Sequence, residues 1–206
     1  MQYSKEDIQA MDRVTRLKII NSVPGIKPGN LIGTVSKEGI TNLAIFSSVV
    51  HLGSDPALLG FISRPRTEEV GHTYTNIIET GCYTINHIHP SFIENAHYTS
   101  AKFASTESEF KRCRLTEEYI SACKAPFVKE STFKMGLRFV QAIEIPLNGT
   151  VLMIGEIDYL ILPETINGDI DLEHSKSVGI SGLNSYYEVT KIGQYPYARI
   201  SNIPKM

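Results

Sequence analysis

At Asn30 the chain changes texture, from a charged, helix-like opening to short runs of β-branched and aromatic residues broken by turn residues. The opening begins at Ser4, whose hydroxyl can cap a helix while Asp7, three positions on, reaches back; a short surface helix is expected there. NLIGTVS, the turn Lys37-Glu38-Gly39 and TNLAIFSSVVHLG then read as a hairpin. Ser54-Asp55-Pro56 makes the next turn, since proline fixes φ and aspartate bonds the local backbone, and ALLGFIS follows as a third strand. TYTNIIET has helical composition and closes on Gly81 at a C-terminal capping position. CYTINHI returns to strand texture, SFIENAHYTSAKF predicts a second helix, and the stretch to Lys124, poor in β signals, predicts a loop excursion. FKMGLRFVQAIEIP and TVLMIGEIDYLILP predict a long hairpin about Leu147-Asn148-Gly149, because Asn-Gly reaches positive φ at little cost. SVGISG adds the last of six expected strands, and the aromatic tail SYYEVTKIGQYPYARI shows no clear period. Six strands with short helices between them, and no regular βαβ alternation, favour a closed antiparallel or mixed barrel.

Composition narrows the class. With 206 residues, 42% of them hydrophobic, one core and a single domain over 1–206 are expected. Lys and Arg number 20 against 22 Asp and Glu, and the basic residues are dispersed, which argues against a nucleic-acid surface. The start, MQYSKEDIQAMDR, lacks the apolar run of a signal peptide, and no stretch approaches the roughly 20 apolar residues of a membrane span. The three cysteines, Cys82, Cys113 and Cys123, are odd in number and never at C-x-x-C spacing. Each is expected to be a packed thiol in a reducing cytoplasm.

Several chemistries lack their signatures. There is no G-x-G-x-x-G after a strand, no G-x-x-x-x-G-K-[ST], and Gly179-Ile180-Ser181-Gly182 has the wrong spacing for a nucleophile elbow. A possible anion site does stand out. Arg64, Arg66 and Thr67 lie shortly before Thr73-Tyr74-Thr75-Asn76 at a helix start, placing two guanidinium groups and several hydroxyls near free N–H groups. The alternative is that Thr73 merely caps the helix. Upstream, Phe46-Ser47-Ser48-Val49 sets two adjacent hydroxyls in an apolar strand, where they suit either a flat heteroaromatic ligand or a locally satisfied strand end. His87, His89 and, five residues on, Glu94 match the first part of the cupin metal motif. The closing glycine is replaced by Ala101 and no second half follows, so polar loop histidines are the competing expectation.

The order of segments resembles the flavin reductase family with the FMN-binding split-barrel fold, over about residues 14–200. The resemblance is carried by NLIGTVSKEGITNLAIFSSVVHLGSDPALLGFISRP, TYTNIIETGCYTINHI, HYTSAKF, APFVKES and GTVLMIGEIDYLIL. It implies a mainly β fold, a six-stranded antiparallel split β-barrel with Greek-key character and a few peripheral helices. It also implies FMN at a homodimer interface, with the ring near Ala44 to Val49 and the phosphate near Arg64 to Asn76. Thr99, Ser100, Ala101 and Lys102 would approach the flavin, from this subunit or its partner, and His97 becomes a candidate neighbour of the ring. The implied activity is hydride transfer from NADH or NADPH to flavin N5, with a downstream oxygenase or other electron acceptor. A non-enzymatic FMN electron carrier would use the same site.

Overall fold

In a computed structural model of the chain, which describes residues 1–65, 71–120, 123–163 and 168–202, two helices precede the strands. They are α1 (Lys5–Ala10) and α2 (Arg13–Ser22), and neither buries a residue. The expected capping box is present: Ser4 Oγ accepts from the Asp7 N–H at 3.1 Å and Asp7 Oδ2 from the Ser4 N–H at 2.8 Å. Then come β1 (Lys27–Pro28), β2 (Asn30–Val35), β3 (Thr41–Phe46), β4 (Val50–Ser54), β5 (Ala57–Ser63), α3 (His72–Thr80) and β6 (Cys82–His87). The second half holds α4 (Ile93–Tyr98), α5 (Glu109–Arg112), β7 (Glu117–Glu118), β8 (Phe127–Val128), β9 (Lys134–Ile145), β10 (Thr150–Ile161), β11 (Gly179–Ser181) and β12 (Ser185–Tyr187). No helix among the described residues is long and apolar enough to cross a membrane.

Seven strands form one sheet in the order β3-β2-β6-β9-β10-β5-β4, antiparallel at every pairing. β3 and β4 are its two outermost strands, yet only Ser47, Ser48 and Val49 separate them in the chain. One bent run therefore serves both sides of the sheet and rolls it toward closure. Ser48 secures the bend: its Oγ accepts from the Ile62 N–H at 3.1 Å and donates to the Ile62 carbonyl at 3.2 Å, standing in for ladder bonds. The mainly β split barrel is thus observed, with two corrections. TNLAIFSSVVHLG is broken at its serines instead of running as one strand, and SVGISG lies outside the barrel, because β11 pairs with β1 and β12 in a separate sheet. With β3 and β4 taken as one run, six barrel strands remain. β5 is followed in sequence by β6, which lies beyond the positions that β9 and β10 fill, the Greek-key element of the topology.

Local signals account for most of the punctuation. Gly149 takes φ +71° at the β9–β10 turn, while Asn148 Oδ1 accepts from the Thr150 N–H at 3.1 Å. α4 ends earlier than expected because Thr99 Oγ1 and Ser100 Oγ donate to the carbonyls of Ala96 and His97, at 2.8 and 2.7 Å.

Strand alternation divides the core in two. Inside the barrel lie Ile32, Phe61, Tyr83, Ile85, Leu137, Val151 and Met153, joined by Ile77 of α3. On the outer face of β2 and β3, Leu31 and Leu43 pack with Phe92, Ala96, Phe110, Val128 and Ile180. The leucine, isoleucine, valine, phenylalanine and methionine side chains among these each contribute about 1.5–3 kcal/mol on burial. The two layers fix β3 between them, and β3 positions the site.

Candidate functional site

β3 is hydrogen-bonded to β2 on one side only. In an antiparallel pair alternate residues turn both N–H and C=O away from the neighbour, and Leu43 is one of these. Its N–H donates to Glu109 Oε2 at 2.9 Å. Thr41 Oγ1 donates to Glu117 Oε1 at 2.6 Å and meets Ser108 Oγ at 2.6 Å. The excursion after α4 thus covers the first half of this edge. Burial pushes the Glu109 carboxyl above the usual carboxylate range, and the Leu43 N–H opposes that shift. The same alternation turns the N–H and C=O of Ile45 outward, next to the bend.

The four residues expected to face a planar ligand divide by role. Phe46 and Val49 pack on the inner core, Phe46 edge-on to Phe61 with centroids 5.0 Å apart. Ser48 is engaged with Ile62, and Ser47 is half-buried at the bend. A ligand here would meet mainly backbone.

Arg64 is exposed just past the end of β5, and Arg66 lies outside the described residues. Gly71 begins α3 at φ +115°, and no side chain caps the helix among the described residues, leaving first-turn N–H groups turned outward. Thr73 and Asn76, expected at a phosphate, are instead buried. Thr73 Oγ1 accepts from Asn42 Nδ2 at 3.2 Å, Asn76 Nδ2 donates to Thr34 Oγ1 at 3.0 Å, and Asn42 also reaches Thr34 at 3.2 Å. The four dock α3 on the inward face of β2 and β3. Asn42 and Thr34 were not singled out from the sequence, although a polar pair at inward strand positions was a usable signal.

α4 packs against the outer face of β3 through Phe92, Ala96 and Leu43, so Thr99 to Lys102 leave from beside that strand. The Thr99 side chain is buried and caps α4, whereas Ser100, Ala101 and Lys102 are exposed. A cleft of about 520 Å³ lies between α4 and the β11–β12 turn, lined by Ile93, Glu94, Asn95, His97, Asn184 and Tyr186. His97 Nδ1 and Tyr186 OH are 2.8 Å apart, so the tail to which the sequence assigned nothing supplies a wall of this cleft.

The three residues of the metal motif have separate partners. His87 Nδ1 meets Ser177 Oγ at 2.9 Å and its ring stacks on Phe133 at 3.9 Å; His89 Nδ1 accepts from the Ser91 N–H at 3.2 Å; Glu94 Oε1 accepts from Tyr98 OH at 3.2 Å. Among the described residues no three His, Cys, Asp or Glu side chains are grouped to hold a metal. Desolvation lowers the His87 imidazole to about 4. Its folded value lies below its unfolded one, so the stability it contributes is present above about pH 6.5 and is lost as pH falls toward 4. Because part of the ring edge stays accessible, a loss on the order of 1–2 kcal/mol is expected. Urea melts at pH 7 and pH 4.5 should show it, and a difference unchanged in His87→Gln would assign it to other groups.

The family model of the flavin reductase like domain matches residues 26–177 of this chain. Among solved structures, a Shewanella frigidimarina protein assigned as a flavin reductase with a split barrel domain is 46% identical, with TM-score 0.91 over 96% of this chain and 100% of that one. Nitrilotriacetate monooxygenase component B from Bacillus cereus is 20% identical, with TM-score 0.83 over 95% of this chain and 98% of that one. Flavoredoxin of Desulfovibrio vulgaris is 21% identical, with TM-score 0.72 over 84% and 92%. The last two likenesses show the shared fold.

Proposed function

Because the chain belongs to the flavin reductase-like domain family, we propose that it is an NAD(P)H-dependent flavin oxidoreductase that binds FMN between the β3 edge and the start of α3. The observation that carries this reading is the length of outward-turned backbone at Ile45, beside the bend at Ser47, for which the described residues supply no hydrogen-bond partner. A flat heterocycle with alternating donors and acceptors fits such an edge. FMN, when bound, supplies a ring whose N5 takes hydride from a reduced nicotinamide, so no protein nucleophile is required. The chain's own part is to bind and orient. Ile45 and Ser47 offer backbone bonds to the ring, Arg64 and the first-turn N–H groups of α3 hold the phosphate, and Ser100 and Lys102 approach from beside β3. Thr73 and Asn76 act indirectly by holding α3 in place.

A second copy of the chain completes the site. On the outward face of the sheet, Leu52 and the half-buried Leu152 flank Gly60, and Leu52, Val50 and Ile143 are exposed. An apolar strip on an antiparallel sheet suits a homodimer that shields the flavin from water. Light scattering should return twice the monomer mass, and a monomer with full FMN affinity would remove the dimer from the reading.

The deciding experiment is an FMN titration followed by anaerobic addition of NADH or NADPH. Quenched flavin fluorescence and bleaching of the flavin band on nicotinamide addition are expected, whereas failure to quench would overturn the proposal. Bound flavin that neither nicotinamide reduces would favour the electron-carrier reading, in keeping with the likeness to flavoredoxin. The likeness to a monooxygenase component B makes a partner oxygenase the proposed destination of reduced flavin.

A further inference from the structure

The excursion after α4 returns to the barrel along the outer face of β6. Alternation gives β6 an inward pair, Tyr83 and Ile85, and an outward row of Cys82, Thr84 and Asn86. Each outward residue holds the returning chain. Asn86 Oδ1 accepts from the Val128 N–H at 2.9 Å, and Thr84 Oγ1 donates to the Pro126 carbonyl at 2.7 Å. Two residues further back on β6 and three on the returning chain, Cys82 meets Cys123. The two thiols share a hydrogen bond, and the N–H groups of Ala125 and Lys124 also point at the Cys82 sulfur. Both cysteines are half-buried, close enough to the surface for a small reagent, while Cys113 is buried. The sequence reading, which treated all three as isolated packed thiols, missed this pair.

We propose that Cys82 and Cys123 are a site of reversible oxidation that takes a hydroperoxide as its reactant, with Cys82 as the attacking sulfur and Cys123 as the resolving one. In the first step the Cys82 thiolate attacks the terminal peroxide oxygen; the O–O bond breaks, hydroxide leaves from hydrogen peroxide (alkoxide from an organic hydroperoxide) and takes up the proton lost by the thiol, and Cys82 becomes a sulfenic acid. In the second the Cys123 sulfur attacks Cys82; the S–O bond breaks, the S–S bond forms, and water leaves with the Cys123 proton. Two thiols together lose two electrons, and one peroxide is reduced to water. The environment assigns the order. The Cys123 S–H bond, with the Ala125 and Lys124 N–H groups and the Lys124 ammonium, outweighs burial and lowers the Cys82 thiol to about 6. Donating its S–H to that bond, together with burial, pushes Cys123 up. Once formed, the disulfide fastens covalently the same strap that Thr84 and Asn86 hold by hydrogen bonds.

The test uses the full chain, reduced and then exposed to hydrogen peroxide, with remaining thiols alkylated after denaturation and mapped by peptide mass spectrometry. Two of the three thiols should be lost into a peptide pair joining Cys82 to Cys123, recovered by dithiothreitol and formed equally in Cys113→Ser. In Cys123→Ser, dimedone should label Cys82, whereas Cys82→Ser should react with peroxide about tenfold more slowly than the native chain. Retention of all three thiols at a dose that oxidises free glutathione, or a linked pair containing Cys113, would overturn the proposal without depending on any variant's folding.

Discussion

Arg64→Ala should raise the Kd for FMN roughly 10- to 150-fold, the equivalent of losing one charge-assisted hydrogen bond worth about 1.5–3 kcal/mol. Arg64 is exposed at the end of β5 and belongs to neither core cluster, so its loss should leave the melting temperature almost unchanged. The expectation depends on the phosphate, which gives a sharp control: affinity for riboflavin, which has none, should not change. Arg64→Lys should recover only part of the loss, because an ammonium cannot present the two-pronged geometry of guanidinium. Ser48→Ala offers the opposite case. Its hydroxyl bonds both backbone groups of Ile62, so the substitution should lower stability first and flavin affinity only through the bend. Fluorescence titration with both flavins separates the cases, and equal losses for FMN and riboflavin in Arg64→Ala would place the phosphate elsewhere.

Gly33→Ala should lower the melting temperature by about 6–12 °C, corresponding to about 3 kcal/mol in a chain of this size. Gly33 lies on β2 opposite Thr84, on the face where the strap crosses. A Cβ there would stand 2.3 Å from the Pro126 carbonyl oxygen and 2.6 Å from Thr84 Oγ1. The first of these is backbone and cannot rotate away, so the strap itself must lift, breaking the bond from Thr84 to Pro126. Thermal unfolding followed by circular dichroism reads the effect directly. A melting temperature within about 2 °C of the native chain would mean the strap accommodates the methyl freely.

Local rules carried the sequence reading furthest. The Ser4–Asp7 capping box, the Gly81 helix stop and the turn at Asn148-Gly149 each depend on neighbours a few residues apart, and each stands where expected. The serines of FSSVV allowed a bulge or strand end there, but composition alone did not decide the break, because the segment keeps strand character throughout. What divides it is the closure of a sheet whose two flanks come from distant pairings. Thr73 and Asn76 were expected at a phosphate, and their buried bonds were not foreseen because the partners Asn42 and Thr34 arrive from strands far earlier in the chain. The shortening of α4 turned on whether Thr99 and Ser100 bonded backward to the helix, which composition alone leaves open.

A row of unmet amides along a strand ordinarily invites another chain to add itself, and barrels escape that hazard by having no margin to offer. This fold escapes it almost completely. Glu109 and Glu117 occupy the beginning of the β3 margin, and Ser48 latches its far end to Ile62. What the described residues leave uncovered around Ile45 is too short to template a foreign strand, yet it suits one small flat molecule. Under the proposed function, the flavin would occupy a remnant of aggregation-prone edge, open where a ligand rather than a neighbour can fill it.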